Sequence, residues 1–392
     1  MFKKLKKSAY SYVMMLGHMC TDLGGGALPA ILPFLMTQKG LTYTQTAGLT
    51  FALSSVGSVI QPVFGNMADK VSRPWLMTLG ILMAGCGISL LGFVDSYWVM
   101  FMLVLFNGVG AAIFHPDGGR MANYVSGEKK GRGISLFSVG GNMGSAFGPM
   151  VAVAGITLLG GDLRGTGLLA VPTLIMAGFM WTQNRRLTEF ASEGLKATKA
   201  AMAAGQKDDW NAFGRLTVVA FLRSIITVCT GTFMPMFYMN VLMQPEALSG
   251  SITTLWALAG SVATLLGGYL ADRFGFSKVI RTGLFLFVPC MALLAASRSV
   301  VLCTVMVIPC AVFLNFAFSP SVALGQKFIP NHIGLASGIT MGLASSFGGV
   351  VSPILGKVAD HYGLPLVMWI LVGIAAAAAL ASCGVPEAQK QQ

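Results

Sequence analysis

The sequence predicts an all-α membrane protein with twelve transmembrane helices in two pseudo-symmetric six-helix bundles. Three observations lead there. Of 392 residues, 55% are hydrophobic and only 10% are charged, whereas soluble chains carry about 25% charged residues. The apolar residues fall in continuous runs of about 20, enough for a helix to cross a hydrocarbon core ~30 Å thick. The chain also repeats itself. Gly65-Asn66-Met67-Ala68-Asp69-Lys70 recurs as Gly268-Tyr269-Leu270-Ala271-Asp272-Arg273 at an offset of 203, and the pairs Pro29/Pro235, Pro116/Pro320 and Pro149/Pro353 recur at 206, 204 and 204. Lipid offers backbone groups no hydrogen bonds, so spanning segments are helices or a closed barrel. The runs do not alternate, which excludes the barrel. Two similar halves around a polar hollow can rock against one another.

The elements follow in order, each an apolar run bounded by polar or charged residues. Spans 1 to 6 are read at roughly 9–37, 43–69, 74–94, 97–125, 131–158 and 165–184. Residues 1–185 thus form the N-terminal bundle. A charged connector follows at 186–212, whose Ala/Lys-rich middle, Leu195 to Ala204, is read as a surface amphipathic helix. Spans 7 to 12 are read at roughly 213–242, 249–271, 278–296, 299–327, 333–357 and 364–384, which makes 213–392 the C-terminal bundle. The first run is too long for a signal peptide and lacks a small-residue cleavage site, so it is expected to be a retained span.

The net charge of +12 raises nucleic acid as a partner, but its distribution points to lipid instead. Twenty of the 26 Lys and Arg fall in the N-terminus, the C-terminus, and the even-to-odd loops together with the span ends that border them; four fall opposite, at Lys39, Arg164, Arg298 and Lys357. This positive-inside bias is expected to place both termini in the cytoplasm, with Lys3, Lys4, Lys6 and Lys7 as an anchor to anionic lipid. All seven cysteines fall in predicted spans and are expected to be buried apolar residues, with no metal spacing among them. No Walker loop, nucleophile elbow or metal cluster appears. An enzyme is therefore not expected, nor any cofactor, metal or nucleic acid, and the chain is expected to be a monomer.

A resemblance rests on named residues. Gly65…Asp69-Lys70…Arg73, between spans 2 and 3, and Gly268…Asp272-Arg273-Phe274-Gly275…Lys278 resemble the cytoplasmic loop motif of the major facilitator superfamily, G-x-x-x-D-R/K-x-G-x-R/K. The first copy has Ser72 in place of the second Gly. A narrower resemblance, to the fosmidomycin-resistance family of bacterial exporters, rests on His18 and Asp22, on Gly26-Ala27-Leu28-Pro29-Ala30-Ile31-Leu32-Pro33-Phe34, and on Phe114-His115-Pro116-Asp117-Gly118-Gly119-Arg120. In that family a Glu usually follows His-Pro; here Asp117 stands there. The resemblance implies efflux of antibiotics or other toxic small molecules. Gly140 to Pro149 in span 5 resembles the superfamily's antiporter motif G-x-x-x-G-P, departing at Ala152 and Val153, where a Gly pair is usual.

Ionisable residues inside a bilayer cost about 2.5–3.5 kcal/mol each at mid-span and mark function. At about 1.5 Å per residue, His18, Asp22, His115 and Arg223 fall near mid-membrane. His18 and Asp22 are i,i+4 neighbours on one helix face. A histidine titrates near ~6.5 and exchanges protons at physiological pH. Asp22, His115 and His18 are therefore read as proton-coupling residues. Arg223, which keeps its charge, is read with His115 and Asn142 as a substrate contact. Pro116 and Pro320 each free a carbonyl and kink matching helices. Asp69, Lys70, Arg73, Asp272, Arg273, Asp117 and Arg120 are read as a cytoplasmic gate. The alternative is a structural ion-pair network for the mid-membrane residues, a helix-end network for Asp117 and Arg120, and ordinary cytoplasmic anchoring for Asp69 and Asp272.

The sum is a proton-coupled exporter of small anionic or amphiphilic compounds. Two rivals stay open: an importer of an organic anion or nutrient with the same fold, which the span-5 departure favours, and a non-transporting sensor or scaffold.

Overall fold

The computed structural model describes residues 7–54, 60, 73–125, 130–200, 208–329, 335–336 and 338–387. Among them the helices are α1 (Tyr10–Lys39), α2 (43–54), α3 (Trp75–Ser89), α4 (Tyr97–Val125), α5 (Lys130–Leu158), α6 (Ala170–Ala200), α7 (Trp210–Asn240), α8 (Glu246–Phe274), α9 (Phe276–Ala296), α10 (Val300–Phe316), α11 (Phe318–Phe328), α12 (Ala344–Tyr362) and α13 (Leu364–Ser382). No strand occurs among the described residues. Eight of the described segments are long and apolar enough to cross a membrane. The chain divides into two compact units: Met1–Ile31 with Val56–Ala204, and Leu32–Ser55 with Gly205–Gln392.

In the first unit, α5 packs on α1 through small residues. Cβ atoms built on Gly140, Gly144 and Gly148 would lie 2.0, 2.3 and 2.2 Å from the carbonyl oxygens of Met15, Met19 and Leu23. Any side chain at these positions drives the helices apart, so the repeat of small residues in α5 sets their separation. An aromatic and methionine core, including Tyr10, Met14, Phe114, Phe137, Met180 and Phe190, fills the same unit.

Helix α6 departs from expectation. It continues without a break to Ala200, so the first part of the connector extends a span and does not form a separate surface helix. The extension is held by the start of α1. Tyr10 meets Phe190 edge-on at 5.1 Å and donates to Gln183 Oε1 at 2.7 Å, and Lys7 pairs with Glu193 at 3.1 Å. Only 201–207 of the connector lies outside the described residues.

In the second unit α7 is the most enclosed helix, packed against α12 and α13. The expected tenth span is two helices, α10 and α11, joined at Ala317. Pro320 explains the break: it has no N–H for the carbonyl of Phe316, where α10 ends. Pro116 has a milder effect and lies within continuous α4. Cys383 corrects another expectation. It caps α13 and is exposed, because the apolar run stops one residue earlier. Cys20, Cys229, Cys303 and Cys310 are buried as expected, and Cys86 and Cys290 are half-buried.

Candidate functional site

Three side chains from two helices of the first unit converge. His18 and Asp22 are one turn apart on α1, and His115 reaches them from α4. Asp22 Oδ1 lies 2.8 Å from His115 Nε2, and Asp22 Oδ2 lies 3.2 Å from His18 Nε2. From α5, the Phe137 carbonyl sits 2.7 Å from His18 Nδ1, and the Phe137 ring stacks on the imidazole at 4.0 Å. The two imidazoles meet edge-to-face at 5.0 Å. Asp22 keeps 22% of its side-chain surface accessible and His115 keeps 28%, so the cluster is not sealed within the unit.

Counting protons constrains the chemistry. A carbonyl only accepts, so His18 Nδ1 carries hydrogen. In neutral His18 the other nitrogen, Nε2, would then turn a lone pair toward a carboxylate oxygen. The 3.2 Å contact therefore requires a proton between Nε2 and Oδ2, held as His18 imidazolium with Asp22 carboxylate or as neutral His18 with protonated Asp22. His115 needs none beyond its own, since its neutral Nε2–H donates to Oδ1. The cluster thus holds one proton that can leave, and its departure sets two lone pairs face to face. The ligand-type atoms of the three residues lie within 4.8 Å of one another, close enough to hold a metal ion. In this arrangement those atoms are engaged in hydrogen bonds.

Gly141 on α5 completes the wall. A Cβ there would lie 2.6 Å from His18 Nε2 and 2.9 Å from Asp22 Oδ2. Gly141→Ala is expected to force the triad apart at an overpacking cost of about 1–3 kcal/mol, cutting gradient-driven flux about tenfold or more. Gly178→Ala, where a Cβ meets nothing within 4 Å, is expected to leave flux unchanged. Parallel flux assays of the two variants check this.

Arg223 lies in the second unit, on α7, and is 6% exposed. Its guanidinium carbon is 4.9 Å from the centre of the Phe318 ring, a cation–π contact. It makes no ion pair with a described residue, and its buried Nε has no hydrogen-bond partner among them. A buried cation without a counter-charge is costly.

The remaining expected residues are placed as follows. Asn142 is half-buried on α5. Asp117 is buried and Arg120 half-buried, one turn apart on α4, and both have interaction partners. Arg73 is exposed at the start of α3. Arg273 is exposed in the last turn of α8, where a cation suits the helix dipole, with Phe274 5.3 Å away. Asp69, Lys70 and the side chain of Asp272 lie outside the described residues. Phe137 and Phe318 were not anticipated. A backbone carbonyl acceptor and a ring partner from a distant helix leave no signature in a single sequence.

Comparison with known proteins adds an independent line. The sequence profile of the Major Facilitator Superfamily matches residues 14–242 and 216–391. The chain is 31% identical over 362 residues to the MFS-type transporter YfnC of Bacillus subtilis (strain 168), covering 91% of this chain and 88% of that one. It is 29% identical over 365 residues to the fosmidomycin resistance protein of Escherichia coli (strain K12), covering 90% and 86%. The inward-open xylose transporter XylE from E. coli shares the fold, with a TM-score of 0.75 at 14% identity over 98% of this chain and 97% of that one.

Proposed function

The chain belongs to the major facilitator superfamily, and from that premise we propose that it is a proton-coupled exporter of small anionic or amphiphilic compounds, working by alternating access. As a member of that superfamily it is a multi-pass membrane transporter and not an enzyme. The His18–Asp22–His115 cluster is the observation that carries the coupling. It holds one releasable proton in the part of the chain read as mid-membrane. With the proton present, one hydrogen bond ties α1 to α4, one ties α1 to α5, and a third joins His18 to Asp22 within α1. Without it, the Asp22–His18 contact turns repulsive and the cluster opens. Moving one charge through ~100 mV supplies ~2.3 kcal/mol, which sustains a concentration ratio of about forty.

Arg223 supplies the substrate side. It is a fixed cation without a counter-charge among the described residues, and an anionic group of the transported compound would satisfy it. A relative named for fosmidomycin resistance, and others named as multidrug resistance proteins, favour export of a toxic compound. Residues 1–185 and 213–392 act as the two bundles, joined by 186–212. His115 and Asn142 line the substrate path. Pro116 and Pro320 bend the helices that flank it. Arg73, Asp117, Arg120, Asp272 and Arg273, with Asp69 and Lys70, form the cytoplasmic gate. The protein resides as a monomer in a bacterial inner membrane with both termini inside.

The test is reconstitution. Purified protein in liposomes with an imposed pH gradient is offered fosmidomycin, a monocarboxylate drug and a neutral amphiphile in separate runs. Uphill movement of at least one probe that reverses with the gradient supports the reading. Equal flux with and without the gradient removes proton coupling from it.

A further inference from the structure

Helix α2 begins with an uneven set of caps. Thr42 and Gln45 form a capping box, with Thr42 N–H donating to Gln45 Oε1 at 3.0 Å and Gln45 N–H to Thr42 Oγ1 at 3.2 Å. The Thr46 amide already bonds the Thr42 carbonyl at 3.0 Å. That leaves the amides of Tyr43 and Thr44 without a local partner. Both donate to one carboxylate more than 300 residues away. Tyr43 N–H meets Asp360 Oδ1 at 2.9 Å and Thr44 N–H meets Oδ2 at 3.0 Å. The Thr44 hydroxyl donates to Oδ2 as well.

Asp360 is badly placed for its own helix. It stands in the last turn of α12 (Ala344–Tyr362), where the dipole disfavours an anion. For the first turn of α2 the same charge is favourable. One turn back, Gly356 provides the clearance: a Cβ there would lie 2.9 Å from Thr44 Cα and from the Tyr43 carbonyl oxygen. Farther along α2 the contacts to α7 use small polar groups, with Thr50 accepting from Thr232 at 3.1 Å and Thr46 meeting Met236 Sδ at 3.4 Å. This is why 32–55, which fall in sequence between the two segments of the first unit, group with the second compact unit.

We infer that Asp360 and the 42–44 turn form a releasable latch that holds the outer end of the transport path shut. The inference rests on the alternating-access reading and on the orientation given above, with the turn between spans 1 and 2 facing outward. Asp360 and Thr44 lie at an exposed edge, so water can replace each bond when the latch opens. A buried apolar seam would not release as readily. Asp360 is a positioning residue: it touches no substrate and selects which side is open.

Two experiments test the latch. In the first, a chain with its seven native cysteines replaced carries Thr44→Cys and Asp360→Cys. Oxidation is expected to lower flux at least about tenfold, with recovery on reduction. Full flux in the oxidised form overturns the latch, whereas absent flux in the reduced form counts against the transport reading instead. The second needs no flux. Thr50→Cys, introduced at a buried position, is labelled by a membrane-impermeant maleimide from outside. Adding Asp360→Ala is expected to speed labelling about tenfold, and Asp360→Glu to restore the slow rate. Equal rates in all three overturn the proposal.

Discussion

Asp22→Asn is expected to abolish coupling to the proton gradient while leaving the fold in place. The amide matches the carboxyl in size and offers one acceptor and one donor group. Its oxygen accepts from His115 Nε2, and its NH2 donates to the lone pair of neutral His18, whose Nδ1 still donates to the Phe137 carbonyl. The bonds at 2.8, 3.2 and 2.7 Å thus all have a counterpart in the variant. What is lost is the releasable proton. Asparagine mimics the protonated state permanently, so the steady-state concentration ratio should fall from about forty toward one. Thermal stability and ligand binding should stay near wild type. Downhill exchange of substrate should persist. Gradient-driven uptake into everted vesicles, measured beside thermal unfolding, reads both. Undiminished accumulation in this variant would place coupling elsewhere.

Arg223 gives the second large effect, and its sign distinguishes a working residue from a scaffolding one. A buried ion pair broken from one side costs stability. Arg223 has no such pair among the described residues, only the face of Phe318 at 4.9 Å. Replacing a buried charge that has no described counter-charge by an apolar side chain of similar length removes its desolvation cost, on the order of several kcal/mol per ion, and stabilises. Arg223→Met should therefore raise the thermal midpoint while weakening binding of anionic substrate by about two powers of ten, the loss of a desolvated charge-assisted contact. Neutral substrates should be spared. Arg223→Lys should fall between, keeping charge but losing the planar fork and the stacking. A drop in stability with unchanged affinity would mean that the residue serves packing.

The general plan was readable because it depends on repetition and run length, and both survive in a single sequence. The pairing of His18 with Asp22 was readable because i,i+4 on a helix is a fixed geometry. Bringing His115 beside them required depth arithmetic across two spans, which gives height but not angle. Phe137 and Gly141 could not be found that way. Phe137 acts largely through its carbonyl, which every residue possesses. Gly141 sits in a run where Gly140 and Gly148 face backbone alone and Gly144 faces the Met19 carbonyl, with Asp22 Cβ 3.1 Å from where its own Cβ would lie. Asp360 escaped for a different reason. Near the end of an apolar span a lone acid reads as a solvated boundary, and its partner lies at the other end of the chain. The break at Ala317 needed knowledge of where Pro320 falls within its turn, finer than span boundaries can be drawn.

The seating of α1 on α5 has a consequence for how the site transmits force. His18 and Asp22 share α1, and its carbonyls rest directly on Gly140, Gly144 and Gly148, while Phe137 pins the imidazole from the same neighbour. Two members of the trio therefore travel as one rigid piece. His115 is the loose member, followed by a proline that leaves the Ala112 carbonyl without its helical partner. In the proposed coupling, proton loss sets His18 against Asp22 on that one frame, and the Asp22–His115 bond at 2.8 Å is the link through which α4 feels the change.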